Sequence, residues 1–182
     1  ADEFHLNLHM DGARFANAVV ASGVSPADVT WRAGVDCLSF GLTKNGGIAT
    51  EAVVMFNPAL AEDFAYRRKR AGHLWSKQRF LAAQWLALLE NDLWLDNARH
   101  ANAMAGQLAA GFAAHDAIRL PWSVDANELF PVIPEALRGQ LREAGLVFYD
   151  WPQEANMTRF VTHFGTDPAE IARALEAIAV SQ

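Results

Sequence analysis

Two apolar runs, each closed by a glycine-bearing turn and each carrying one charged residue at its end, constrain this chain more than any other feature. The first reads Leu8-His9-Met10-Asp11-Gly12-Ala13-Arg14, the second Val35-Asp36-Cys37-Leu38-Ser39-Phe40-Gly41-Leu42-Thr43-Lys44-Asn45-Gly46-Gly47. The spacing from Asp11 to Lys44 is that of one strand–helix–strand crossover, roughly 30 residues. Such a unit predicts two neighbouring parallel strands of an α/β sheet. Asp11 and Lys44 then stand at the carboxyl ends of those strands, where open α/β sheets bind ligands.

One aspartate and one lysine at such a crevice suit pyridoxal phosphate, which is held as a Schiff base on a lysine with an acid at the pyridine nitrogen. The carboxylate of Asp11 would keep that nitrogen protonated, because an opposite charge nearby favours the charged form. Lys44 would supply the amine, a group that becomes nucleophilic when desolvated. Taken singly, Asp11-Gly12 is an ordinary turn signal and Thr43-Lys44-Asn45-Gly46 a solvated loop with a surface lysine. In order and at crossover spacing, the two together favour the cofactor.

The flanking residues follow period two. Phe4, Leu6, Leu8 and Met10 alternate with His5, Asn7, His9 and Asp11, which predicts a strand whose polar face ends at Asp11. His9 shares that face, either as a partner to Asp11 or the cofactor or as a satisfied strand histidine. Ala13 to Val20 reads as a short helix, and Ser25-Pro26-Ala27-Asp28 as the capped start of another. As a bare residue Arg14 is an exposed helix arginine. Cys37, the single cysteine, lies in the second predicted strand and reads as a small buried side chain.

At these residues the chain resembles the threonine aldolase family, the low-specificity L-threonine aldolases of the β-eliminating lyase group, and within it the bacterial branch that includes phenylserine aldolases. The likeness lies in His9-Met10-Asp11-Gly12-Ala13-Arg14 with Asn17-Ala18, in the segment around Lys44, and in Thr158-Arg159-Phe160-Val161-Thr162-His163-Phe164. It implies an α/β fold: the C-terminal part of the large domain of a fold-type I pyridoxal-phosphate enzyme plus a small α+β domain. It also implies Lys44 as the catalytic lysine, Asp11 and His9 at the cofactor, and Arg14 and Arg159 on the substrate carboxylate. The reaction implied is cleavage of β-hydroxy-α-amino acids such as threonine, allo-threonine or phenylserine to glycine and an aldehyde. Members of the family are nearly twice this long, so an N-terminal half carrying the phosphate cup and the general base is expected to be missing. Without it the chain should bind cofactor poorly and turn over little. The family's active sites form at subunit interfaces, which implies a homodimer or homotetramer.

Past Lys44, Glu51 to Phe56 predicts a strand stopped by Asn57-Pro58. A helical region from Ala59 to about Leu89 follows, with a break expected at Gly72-His73. The basic run Arg67-Arg68-Lys69-Arg70 in it reads as a solvated face, with one of its cations able to approach a neighbouring subunit's phosphate. Trp75, Leu81, Trp85, Leu88 and Leu89 supply apolar surface for a core or a subunit contact. The composition turns alanine-rich near Asp92, which divides the chain into 1–91, belonging to the large domain, and 92–182, the small one. A long helix from Leu93 to His115 is expected, then strands at Val124–Val132, Leu146–Tyr149 and Met157–Phe164. Helices at Pro134–Ala144 and from Asp167 to about Val180 complete the reading.

Arg159 shares a strand face with Met157, Val161 and His163. A guanidinium on a partly apolar face needs an anionic partner. That partner is either the substrate carboxylate or a local acid such as Glu154.

Other classes fit less well. With 182 residues and 52% hydrophobic content there is material for a real core, and a net charge of −6 argues against a nucleic-acid surface. The longest strongly apolar stretch, Phe80 to Leu89, is too short to span a bilayer. One cysteine suits a reducing compartment, so a cytoplasmic protein without membrane or nucleic-acid partners, and without a metal, is expected. Two alternatives stay open: another lyase or aminotransferase on the same scaffold, or a non-catalytic remnant acting as an oligomerisation module.

Overall fold

The computed structural model describes residues 2–179, and the chain divides into two compact units between Asp96 and Asn97. The first is built on the sheet that the crossover predicts. Strand β1 (His9–Gly12) runs parallel to β2 (Cys37–Gly41), with His9 opposite Cys37 and Asp11 opposite Ser39. Strand β3 (Glu51–Met55) returns antiparallel on the other side of β2, giving the order β1-β2-β3. Helix α1 (Phe15–Ser22) makes the crossover and ends where Gly23, at φ +67°, donates its N–H back to Val19 O.

Period two sorts the sheet residues. Phe40 belongs to the apolar side and packs against Phe15, Trp85 and Trp94, with ring centroids 5.1, 4.7 and 5.4 Å away. Leu38 and Val35 are buried with Phe15 and Val19. Aromatic pairs at these spacings add to the gain from area removed from water.

Several expected elements are shorter than period alone suggests. The first strand begins at His9, not Phe4, because β2 is the one strand beside it among the described residues and the ladder opens where Leu8 O accepts from Asp36 and Cys37 N–H. Phe4, Leu6 and Leu8 stay exposed. The segment after Ser25 forms successive turns and a 3-10 turn, Trp31–Ala33, instead of an α-helix. Few residues separate Ser25 from Val35, where the chain must already rejoin the sheet. The helical region after Asn57 is a 3-10 turn (Pro58–Ala61), α2 (Phe64–Arg70) and α3 (Arg79–Leu89). Gly72, at φ +78°, supplies the expected break.

Helix α4 (Leu93–Ala113) leads into the second unit, whose sheet has the order β4-β6-β5. Strand β6 (Thr158–Val161) pairs antiparallel with β4 (Glu128–Leu129) and β5 (Tyr149–Asp150). β4 is far shorter than the expected Val124–Val132, and on its C-terminal side it stops because Pro131 has no N–H to extend the ladder. Val132 instead makes single bridges to Arg119 and Met157. Helices α5 (Glu135–Glu143) and α6 (Pro168–Ala179) cover the sheet. Its core joins Leu108 and Phe112 of α4 to Leu129, Leu141, Phe160, Ile171 and Ile178. The end of the last helix expected at Val180 lies outside the described residues.

Candidate active-site residues

Asp11 is held by its own turn: Oδ1 accepts the N–H of Ala13 at 3.0 Å. The Asx geometry points the carboxylate past the end of β1, where the chain turns into α1. On the same face one strand over is Ser39, whose hydroxyl meets His9 Nε2 at 2.9 Å. His9 therefore bonds to Ser39 and not to Asp11. Ser39 is a site-face residue that the sequence reading passed over, although its period-two place in β2 marks it.

Lys44 sits in the 3-10 turn Thr43–Asn45, just beyond the end of β2. The turn is fixed on all sides of the lysine. Asn45 is buried and gives Nδ2–H to Trp94 O at 2.8 Å, and its N–H goes to Leu42 O at 2.8 Å. Gly47 N–H also reaches Leu42 O, and Thr43 Oγ1 donates to Glu51 Oε1 at 2.7 Å. Glu51 leans over Gly41, where a Cβ would meet Oε2 at 2.5 Å. The backbone of Lys44 is thus anchored while its side chain is exposed and, among the described residues, makes no ion pair.

Asp11 and Lys44 lie at the carboxyl ends of adjacent parallel strands. A fixed carboxylate and a lysine that makes no ion pair among the described residues, both at one sheet end, are the residue types that would hold pyridoxal phosphate, so the chemistry of the residues present fits that part of the group. Arg14, half-buried, occupies the N-cap position of α1, three residues past Asp11. A cavity of about 840 Å³ runs along β3 and is lined by Thr43, Glu51, Val53, Arg68, Trp75 and Trp85 among others, but not by His9, Asp11 or Lys44. Among the described residues no group of three or more His, Cys, Asp or Glu could hold a metal.

Arg159 belongs to the second unit. It lies on the outer face of β6, since Thr158 and Phe160 turn inward. Its acid is Glu128, not Glu154: Nε donates to Oε2 at 3.2 Å and Nη2 to Oε1 at 2.9 Å. Glu154 instead pairs with Arg119. The Glu128 carboxylate raises the guanidinium pKa above its usual value, against the opposing effect of partial burial. Strand β6 is locked by threonines at its two ends, with Thr158 Oγ1 on Pro131 O at 3.1 Å and Thr162, just past the strand, giving Oγ1–H to Ala101 O at 2.7 Å. Glu128 also escaped the sequence reading, because it pairs with Arg159 across strands and not along them.

The sequence pattern described as "Beta-eliminating lyase" matches residues 1–136. Over 169 residues the chain is 46% identical to the low specificity L-threonine aldolase of Pseudomonas sp. (strain NCIMB 10558), covering 93% of this chain and 49% of that protein. Over 165 residues it is 48% identical to the protein of the same name from Pseudomonas aeruginosa, covering 91% and 47%. The solved structure of Leishmania major threonine aldolase superposes with a TM-score of 0.89 at 30% identity, over 98% of this chain and 53% of that one. The chain spans about half the length of the curated relatives it matches.

Proposed function

The chain belongs to the β-eliminating lyase family, and from that premise we propose that it is the C-terminal half of a pyridoxal-phosphate-dependent aldolase cleaving β-hydroxy-α-amino acids to glycine and an aldehyde. Threonine, allo-threonine and phenylserine are the substrate class. The observation that carries this reading is that Asp11 stands near the end of β1 and Lys44 just past the end of β2, its parallel neighbour, in a chain 46% identical to a threonine aldolase.

When bound, the cofactor supplies an electron sink for the bond broken at the substrate Cα. Asp11 would set a negative charge at the ring nitrogen and hold a proton there. The Nζ of Lys44 would hold the cofactor covalently. Arg14 and Arg159 bind the substrate carboxylate and so fix which Cα bond is set for cleavage. His9, through Ser39, lines the same face as Asp11.

The phosphate cup and the base that takes the β-hydroxyl proton are assigned to the half of the enzyme outside this chain. Support comes from the length of the relatives and from the unpaired outer edges of β1 and β3 among the described residues. The same reading makes the enzyme a cytoplasmic homodimer or homotetramer. Exposed Trp75, Phe80 and Leu86 offer apolar surface for such contacts.

The test uses the chain assembled with the half its relatives carry. Glycine and aldehyde should form from threonine or phenylserine, and borohydride should fix the cofactor mass on Lys44. In Lys44→Ala the visible absorbance of the lysine-bound cofactor should vanish. An unchanged spectrum, or ammonia and a keto acid as products, would overturn the reading.

A further inference from the structure

Glu128 reaches Arg159 diagonally across the outer face of the second sheet, since Glu128 itself is registered with Val161. A guanidinium carries five N–H donors in one plane. Glu128 takes the side-on pair, Nε–H and one Nη2–H. Among the described residues no acceptor is bonded to Nη1. What remains is the end-on pair, Nη1–H with the second Nη2–H, a fork that matches a carboxylate bidentately. The Trp151 ring, 5.6 Å from Cζ, is within cation–π range of the guanidinium. The two side chains are 23% and 22% exposed, so the pair still meets solvent on one edge.

From this arrangement we infer that Glu128 is a positioning residue, which turns Arg159 so that its end-on fork meets the α-carboxylate of the amino acid substrate. The inference rests on the role given to Arg159 under the proposed function and adds the group that aims it.

Charge alone argues that the contribution is orientation. Glu128 already neutralises Arg159, and a substrate carboxylate on the far edge of the same guanidinium would be repelled by Glu128 across it. Glu128 therefore weakens the attraction for the substrate anion while fixing its direction. Direction matters to rate, because the Cα bond to be broken must be held in one orientation and a small misplacement costs turnover more than binding.

The experiment is a kinetic split in the assembled, cofactor-loaded enzyme, with rates normalised to loaded sites. Glu128→Gln keeps the shape and one acceptor oxygen but removes the charge. Its kcat for threonine or phenylserine should fall about tenfold, while KM, and the dissociation constant of glycine measured by titration, hold or decrease. Glu128→Asp keeps the charge but withdraws it by one carbon, and should also lose kcat; it serves if the glutamine variant fails to fold. Arg159→Lys, which loses the fork, should raise KM about tenfold or more. If Arg159→Lys raises KM but both Glu128 variants keep kcat, or raise KM with kcat preserved, the inference falls and the aldolase reading stands. If Arg159→Lys leaves KM unchanged, the role of Arg159 falls and Glu128 falls with it.

Discussion

Gly12 and Ser39 approach so closely across the parallel pair that a Cβ on Gly12 would lie 2.6 Å from the Ser39 carbonyl oxygen and 2.6 Å from Leu38 Cδ1. The residue after Asp11 is therefore glycine for reasons of space between strands. A carbonyl in the neighbouring strand cannot step aside without moving the ladder that aligns Asp11 with β2. Gly12→Ala should destabilise the protein by about 2 kcal/mol or more, in the range of overpacked cores. Gly41→Ala should cost less, because the nearest atom to its added methyl is the flexible carboxylate of Glu51. Urea unfolding of both variants checks the order; equal losses would show that the β1–β2 spacing is soft.

Asp11→Asn separates the fold from the charge. The Asx bond from Ala13 N–H to Oδ1 is one that an asparagine oxygen also accepts, so the unfolding midpoint should stay within about 0.5 kcal/mol of the parent. Activity of the assembled enzyme should fall about a hundredfold, the scale of losing one fixed charge opposite a reacting group. A stable variant with full activity would remove Asp11 from the site.

The crossover was legible in the sequence because every signal in it is local: period-two runs, a glycine turn, a helix between. Asp11 and Lys44 follow from that pattern, and so does their arrival at one sheet end. The strand ends were not legible. Leu6 and Leu8 fit the alternation as well as Met10 does, but a strand lasts only as long as its partner, and β2 reaches no further than His9. Ser39 and Glu128 escaped for the same reason. Each earns its place by what stands opposite in another strand, 30 residues away for His9 and Ser39 and 31 for Arg159 and Glu128. Arg159 was marked by its neighbours in sequence, and its acid only by the register of the sheet.

Asp28 offers a pH readout of the loop between α1 and β2. The Ser25 hydroxyl donates to Oδ2 at 2.6 Å and, with Arg32 beside it, holds the Asp28 carboxyl below the ordinary aspartate range. A depressed carboxyl pKa contributes stability above the unfolded-state value, and that stability is lost as pH falls through the folded-state value. Ser25→Ala should move the Asp28 carboxyl titration upward by NMR. Any difference in stability between variant and parent should be present at neutral pH and disappear in acid, below the ordinary aspartate range. A titration unmoved by the substitution would show that Arg32 alone sets it.

Arg138 ties the second unit together from an almost buried position, with its side chain 11% exposed. Its Nη1 donates to Asp150 at 2.8 Å, and its Nη2 to Asn156 at 3.0 Å and to Glu135. Helix α5, strand β5 and the segment before β6 thus share one guanidinium. Among the described residues its Nε is buried without an acceptor, a cost that an apolar side chain would not carry. Both acids are about 70% exposed and hydrate freely once the arginine is gone, so Arg138→Met avoids the large penalty of a stranded buried charge. The loss should be about 1–2 kcal/mol, from hydrogen bonds to a charged group set against that relief. Arg142 stands 3.6 Å from each of the same acids and is more exposed, so Arg142→Ala alone should change stability by less than about 0.5 kcal/mol. In the double variant neither acid keeps a cation, and the loss should exceed the sum of the single losses, which a double-mutant cycle by denaturant unfolding would measure. Strict additivity would mean that the two arginines act independently and that Arg142 gives no cover when Arg138 is removed.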